Sequence, residues 1–295
     1  MLENANILVC SDFTKFSDEA LRAAELIRKK SHGTVHALHV TEFPVEWSSS
    51  LSNDLLPHFL DEKFDNELLA LADKKLKKQM NDTGLIGEAH VSMGLAYSVI
   101  EQFIKDHDIN LLIMGHKGKE TSPFRVGSLT EKMVASSSVP ILVINSPLKL
   151  FKVAALFDPI NPLPEIIETG EKIASFFSST FQVISLFKDA ASSFIGLGKL
   201  SYSTRLLSLT NDERLEVIKN VKDEIRKHLV SSAELIVEVS VEKKSAFHLN
   251  SLLESNHTDL AIMKKHQSGF IENMMIGSET RRMLEISQKN LLILA

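Results

Sequence analysis

The sequence predicts an α/β protein built from two tandem, doubly wound, mostly parallel five-stranded sheets. Three observations carry that prediction. Short apolar runs alternate with stretches of helical periodicity along the chain, the alternation starts afresh near the middle, and a group of residues recurs at one fixed offset between the halves. With 295 residues, 44% of them hydrophobic, the chain has material for two cores, since single domains usually run to about 100–200 residues.

In order along the chain, Ile7, Leu8, Val9 and Cys10 form a first strand ending at Ser11 and Asp12. Residues 17–30 then place Ala20, Leu21, Ala23, Ala24 and Ile27 at helical spacing. Ser17, Asp18 and Glu19 suit the start of that helix, where side-chain oxygens and negative charge meet free amides, and Gly33 suits its end. Residues 34–40 read as the second strand. A polar loop through Ser48, Ser49 and Ser50 precedes a charged helical stretch near residues 61–80, and residues 88–93 form the third strand. Residues 95–106 read as a helix. Leu111, Leu112, Ile113 and Met114 are continuously apolar, as a strand covered on both faces requires, and stop at Gly115. Residues 128–136 read as a helix and 141–144 as the closing strand.

The second half repeats this plan. Strands are expected at 153–157, 181–187, 235–241, 259–263 and 291–294, with helices at 164–177 and 212–229. Alternation of this kind implies right-handed crossovers and helices on both faces of a mostly parallel sheet. Asp12 closes the first strand of one half and Asp158 that of the other. Gly127, Ser128, Leu129 and Thr130 recur as Gly277, Ser278, Glu279 and Thr280, with Met133, Ser137 and Leu142 matched by Met283, Ser287 and Leu292. Ser146, Pro147, Leu148 and Lys149 interrupt the apolar pattern, so the halves divide as 1–147 and 148–295.

Charge and cysteine content narrow the function classes. Acidic residues outnumber basic ones, 38 to 33, for a net charge of −5, which gives no general attraction to nucleic acid or an anionic membrane. Cys10 is the only cysteine, so an intramolecular disulfide is impossible; it reads as a small buried apolar side chain. The first six residues lack the basic and apolar stretches of a signal peptide, and no run reaches the roughly 20 apolar residues of a membrane span. A cytoplasmic location is expected.

The stretch richest in chemistry is Met114, Gly115, His116, Lys117 and Gly118, followed after eight residues by Gly127, Ser128, Leu129 and Thr130 at a helix start. Glycines let a ligand approach the backbone. Free amides at the helix start receive phosphate oxygens, the hydroxyls of Ser128 and Thr130 add donors, and Lys117 or Arg125 adds positive charge. A polyphosphate fits such a loop. In open parallel sheets ligands sit beyond the carboxyl ends of the strands, where Asp12, Val40 and Gly115 all emerge. Asp12 can accept from a sugar hydroxyl or base edge, and Val40 can lie against a base. An alternative stays open at this level: Asp12 caps a turn and the glycines serve a tight bend.

These residues resemble the universal stress protein family, whose nucleotide-binding members carry Gly-x-x-Gly, a nine-residue spacer, then Gly with Ser or Thr after the fourth strand. The opening 7–12, the strand end Leu38, His39 and Val40, and the closing segment 139–144 are similar to that family too. The likeness covers nearly all of the first half and is weaker in the second. It implies a universal stress protein-like, adenine nucleotide alpha hydrolase-like fold. It also implies ATP as ligand, with or without Mg2+: Asp12 and Val40 against adenine or ribose, and Met114, Gly115, Lys117, Gly118, Gly127, Ser128, Leu129 and Thr130 around ribose and phosphates. Two departures are plain. Only eight residues, 119–126, separate Gly118 from Gly127, and Cys10 stands where many members have proline. In the second half Met263 is followed by Lys264, Lys265, His266 and Gln267, so both loop glycines are gone and no ATP binding in the family manner is expected there.

Other signals are weaker. Gly196, Leu197, Gly198 and Lys199 lack the glycine and hydroxyl positions of a P-loop. No nucleophile elbow, His-Glu-x-x-His motif or cysteine pair occurs, the eleven histidines are scattered in sequence, and His116 reads as a solvent-facing loop residue. The long connection 188–211 is either a lid or partner surface or an irregular segment over the second core. The resulting expectation is a nucleotide-responsive stress or regulatory module acting through protein partners, without a catalytic residue. A nucleotide-independent scaffold or sensor of another ligand is the alternative, and a slow ATPase or nucleotidyl-transfer enzyme ranks third. In the resembling family closing strands pair across a two-fold axis. That implies an internal pseudo-dimer through 141–144 and 291–294, and leaves homodimerisation open.

Overall fold

The computed structural model of the chain describes residues 3–42, 62–116, 128–158, 162–188, 211–240, 245–265 and 278–295. The chain divides into two compact units, with the change between Leu148 and Lys149.

The first unit runs β1 (Asn6–Cys10), α1 (Lys15–Ser31), β2 (Thr34–Thr41), α2 (Glu62–Thr83), β3 (Glu88–Met93), α3 (Ala96–Asp106), β4 (Leu111–Gly115), α4 (Ser128–Ser136) and β5 (Ile141–Ile144). Its strands lie in the order β3-β2-β1-β4-β5, each neighbouring pair parallel. Ile7, Leu8 and Val9 are wholly buried, and Leu111 to Met114 nearly so. Both faces of the central strands are covered, which is why these runs are continuous rather than alternating.

Helix α1 begins earlier than its apolar periodicity indicates. Thr14, in extended conformation, is the cap: its hydroxyl accepts from Ser17 N at 3.4 Å. The helix ends at His32, which itself takes the left-handed conformation at φ 53°, so Gly33 is not the residue that stops it. Gly33 serves a close approach instead, because a Cβ there would lie 2.0 Å from the Ala5 carbonyl oxygen. That carbonyl accepts from Thr34 N at 2.9 Å as β2 starts beside β1. On the same helix buried Glu25 accepts from Arg28 at 2.8 and 2.9 Å and from Ile86 N at 3.1 Å. The Arg28 hydrogen bonds hold its carboxyl below the usual glutamate range.

The second unit runs β6 (Lys152–Phe157), α5 (Pro164–Phe177), β7 (Thr180–Lys188), α6 (Asn211–Arg226), β8 (Glu234–Ser240), α7 (Ser245–Ser255), β9 (Leu260–Lys264), α8 (Ser278–Ile286) and β10 (Asn290–Leu294). Its order is β8-β7-β6-β9-β10, again parallel throughout. Helix α7 is absent from the expectation drawn from sequence. Ala246, Leu249, Leu252 and Leu253 form its buried stripe, but serine, asparagine and histidine between them blur the period. Helix α6 ends three residues early, where Lys227, His228 and Leu229 donate to carbonyls three residues back.

The residues that recur between the halves share structural tasks. Thr130 and Thr280, Met133 and Met283, and Leu142 and Leu292 are buried at matching places. Ser137 N donates to Met133 O at 2.8 Å and Ser287 N to Met283 O at 2.9 Å. Their hydroxyls then accept from Val139 N and Lys289 N at 3.2 and 3.1 Å, closing the helix in the same way twice. The connection 188–211, with Gly196 and Lys199, falls almost wholly outside the described residues, as does the serine loop 48–50. Among the described residues no helix is long and apolar enough to cross a membrane.

Gly33→Ala must push β1 and the α1 exit apart, so it is expected to destabilise the first unit by about 1–3 kcal/mol. The midpoint of urea unfolding measures this; an unchanged midpoint would show that the Ala5 contact yields freely.

Candidate functional site

Within the first unit the chain leaves β1 toward β2 on one side, while β4 lies on the other. This is the point in a doubly wound sheet where strand ends part and leave a crevice. Asp12 follows β1, Val40 lies near the end of β2, and Gly115 ends β4, all at the carboxyl edge.

Half-buried Asp12 turns the chain from strand to helix. Its Oδ1 accepts from Thr14 N at 3.0 Å and from the Thr14 hydroxyl at 2.6 Å, which holds the cap residue of α1. Between them Phe13 sits at φ 63°, a left-handed conformation that strains a bulky residue by about 1–3 kcal/mol. Several contacts hold it there. Phe13 N donates to the Ser11 hydroxyl at 3.2 Å, its ring lies 4.2 Å from that of His39, and Lys75 Nζ sits 4.1 Å above it. Ser11 is fixed in turn, its N donating to Leu38 O at 2.9 Å and its hydroxyl to Gln79 at 2.5 Å. Cys10 keeps some accessible surface, but burial, followed by the Asp12 carboxylate, pushes its thiol up to about 12.

Val40 is half-buried and pairs with Ser92 of β3. Met114 is buried within the sheet, so what it can offer a ligand is main chain. At Gly115 a Cβ would lie 2.8 Å from Phe16 Cβ and 3.0 Å from Phe16 C; its bare backbone lets the first turn of α1 approach the end of β4. The Gly115 carbonyl accepts the hydroxyl proton of buried Thr130 at 3.1 Å. That bond fastens the first turn of α4 to the same corner, and it directs the Thr130 proton away from any ligand. Ser128 is the first residue of α4 and Leu129 is half-buried. Lys117, Gly118, Arg125 and Gly127 lie outside the described residues. His116 departs from its expected solvent-facing place: it is buried, its N–H donates to Ile144 O at 2.9 Å, and its ring meets Phe16 edge-on at 6.5 Å.

The corresponding corner of the second unit is built from different chemistry. Lys265 N donates to Leu294 O at 3.2 Å as His116 N does to Ile144 O, so Lys264 stands where Gly115 stands. Its ammonium pairs with Glu165, the second residue of α5 as Phe16 is of α1. A glycine under a phenylalanine is replaced by an ion pair. Asp158, the counterpart of Asp12, is exposed, and His266, Gln267 and Gly277 lie outside the described residues.

Comparison with known proteins fits this architecture. The model of the universal stress protein family matches residues 3–145. The first unit belongs to the universal stress protein family. Two universal stress proteins of Methanocaldococcus jannaschii, MJ0531 and MJ0577, are similar to it. The first is 27% identical over 150 residues, covering 48% of this chain and 83% of the relative. The second is 24% identical over 154 residues, covering 47% and 93%. Over both units the fold matches the crystal structure of a universal stress protein from Archaeoglobus fulgidus at a TM-score of 0.66, covering 99% of this chain and 98% of that one. At 15% identity this likeness shows the fold. The second unit is thus a further α/β domain of universal stress protein architecture.

Sequence spacing missed one grouping altogether. The histidines scattered along the universal stress protein domain are partly gathered by its fold, which brings His36, His90 and His107 around Phe103. Burial, the largest influence, lowers the pKa of both His36 and His90, against the raising effect of Glu88. Only the pairing of β2 with β3 makes them neighbours.

Two measurements check this site's construction. Gly115→Ala is expected to cost about 1–3 kcal/mol in unfolding free energy by forcing Phe16 away, seen as a lowered melting temperature without any ligand. Cys10 in the native chain is expected to react with iodoacetamide at pH 8 at least about a hundredfold more slowly than in urea, because little thiolate forms; equal rates would show the thiol to be unperturbed.

Proposed function

We propose that the first unit binds ATP, with or without Mg2+, and that the protein serves as a nucleotide-responsive stress or regulatory module read by protein partners. The supporting observation is the corner where β1 and β4 part. Asp12, Val40 and the Gly115 backbone share its carboxyl edge, and the Thr130 to Gly115 bond draws the amino end of α4 to it. Free amides and the positive end of a helix dipole at a strand switch point suit an anionic nucleotide. In this reading Asp12 and Val40 face base or ribose, and Met114, Gly115, Lys117, Gly118, Gly127, Ser128, Leu129 and Thr130 surround ribose and phosphates. We assign no catalytic residue, so turnover is expected to be slow or absent. The Lys264 and Glu165 pair occupies the matching corner of the second unit, so binding is expected in the first unit alone.

A specific observation favours a second reading, a scaffold or sensor without nucleotide. Asp12 holds the helix cap, Gly115 makes room for Phe16, and the Thr130 hydroxyl donates its hydrogen bond to the Gly115 carbonyl; each has a task in folding. Thermal unfolding of the full chain separates the two. ATP at about 100 times its dissociation constant adds about 2.7 kcal/mol of stability and raises the melting temperature, and Gly127→Val is expected to abolish the rise. No shift, together with no nucleotide released from freshly purified protein, would leave the scaffold.

A further inference from the structure

The geometry points to a zinc site at the β2–β3 edge of the first unit, formed by His36 Nδ1, His90 Nε2 and a Glu88 carboxylate oxygen, with a fourth position left for water. It stands apart from the nucleotide reading and does not rest on it. Parallel pairing sets Glu88 opposite His36, and His90, two residues further along β3, projects from the same face. Three potential ligands therefore converge although His36 and Glu88 are 52 positions apart in the chain.

Their separations match one coordination geometry. His36 Nδ1 lies 3.1 Å from His90 Nε2, Glu88 Oε2 lies 3.5 Å from the former and 3.4 Å from the latter. Two ligands each about 2.05 Å from a tetrahedral zinc are about 3.3 Å apart, so the three atoms describe one face of that tetrahedron. Neighbouring ligands in a square-planar copper site would be about 2.9 Å apart, closer than any of these edges. Calcium and magnesium prefer all-oxygen shells and have little use for two imidazoles. The bare alternative, one imidazole donating to the other, explains the 3.1 Å contact but not why a carboxylate oxygen completes an even triangle.

The rings are also held as ligands need to be. Phe103 on α3 meets the His36 ring edge-on at 5.7 Å and the His90 ring at 4.9 Å. His107 stacks flat on Phe103 at 3.8 Å, and its Nδ1 lies 3.2 Å from the Phe103 carbonyl. This wedge fixes both imidazoles before any ion arrives, which lowers the ordering cost of binding. The side chains of His36 and His90 are 12% and 27% exposed while that of Glu88 is 71% exposed. The histidines form the floor and the carboxylate the open side, giving an ion a path from solvent.

The test uses the full chain without a histidine tag, stripped with EDTA and titrated with Zn2+ against a chromophoric chelator. One equivalent is expected to bind, and native mass spectrometry is expected to show one zinc per chain. His90→Asn is expected to weaken the affinity at least about a hundredfold and Glu88→Gln at least about tenfold. Zn2+ should raise the melting temperature of the parent protein and not that of His90→Asn. Glu88 is exposed, so Glu88→Gln keeps the fold and guards against a variant that merely misfolds. No stoichiometric zinc on the parent chain, or unchanged affinity in both variants, overturns the assignment.

Discussion

The first unit turns on one steric constraint: the first turn of α1 must lie against the end of β4, and only a residue without a side chain allows it. Gly115 supplies that space under Phe16. Once the helix is seated there, Thr14 caps it, Asp12 holds Thr14, and Phe13 is forced into its left-handed turn. The Gly115 carbonyl then faces Thr130 and accepts a hydrogen bond from its hydroxyl. One contact thus sets where β1 ends, how α1 starts and where the amino end of α4 lies. Residues expected to meet a ligand are the same ones that make the corner, so fold and site share their parts.

Much of this architecture is legible in sequence because burial on both faces leaves an unmistakable trace. Ile7 to Val9, Leu111 to Met114 and Leu291 to Leu294 are continuous apolar runs, and each is a parallel central or closing strand. Helix termini are less legible, since they depend on single hydrogen bonds rather than on period. Thr14 rather than Ser17 caps α1, and His32 rather than Gly33 ends it, because the cap is chosen by where the strand delivers the chain. Helix α7 is hard to read because exposed Phe247 and the polar residues His248, Asn250 and Ser251 interrupt its buried stripe of Ala246, Leu249, Leu252 and Leu253 and fit a loop equally well.

The candidate site divides along the same line. Asp12 and Gly115 stand out from their place after apolar runs, whereas their partners Thr14 and Phe16 carry no local signal. His36, Glu88 and His90 lie beyond any motif search, because a strand register brings them together and registers leave no spacing rule in the chain. His116 misleads in the opposite sense: its polar character and loop position suggest solvent, yet a main-chain bond to Ile144 and the Phe16 ring enclose it. The recurrence between the halves is equally instructive, since Met133, Ser137 and Leu142 repeat for the sake of core and helix exit.

The exchange of Gly115 and Phe16 for Lys264 and Glu165 gives the two halves different sensitivities to their surroundings. Van der Waals contact over a glycine is indifferent to dissolved ions. A partly exposed ammonium and carboxylate, with side chains 28% and 49% accessible, attract each other less as electrolyte accumulates. Rising ionic strength therefore loosens this corner in the second half while leaving its counterpart in the first untouched, so a single polypeptide carries one salt-responsive and one salt-blind version of the same joint.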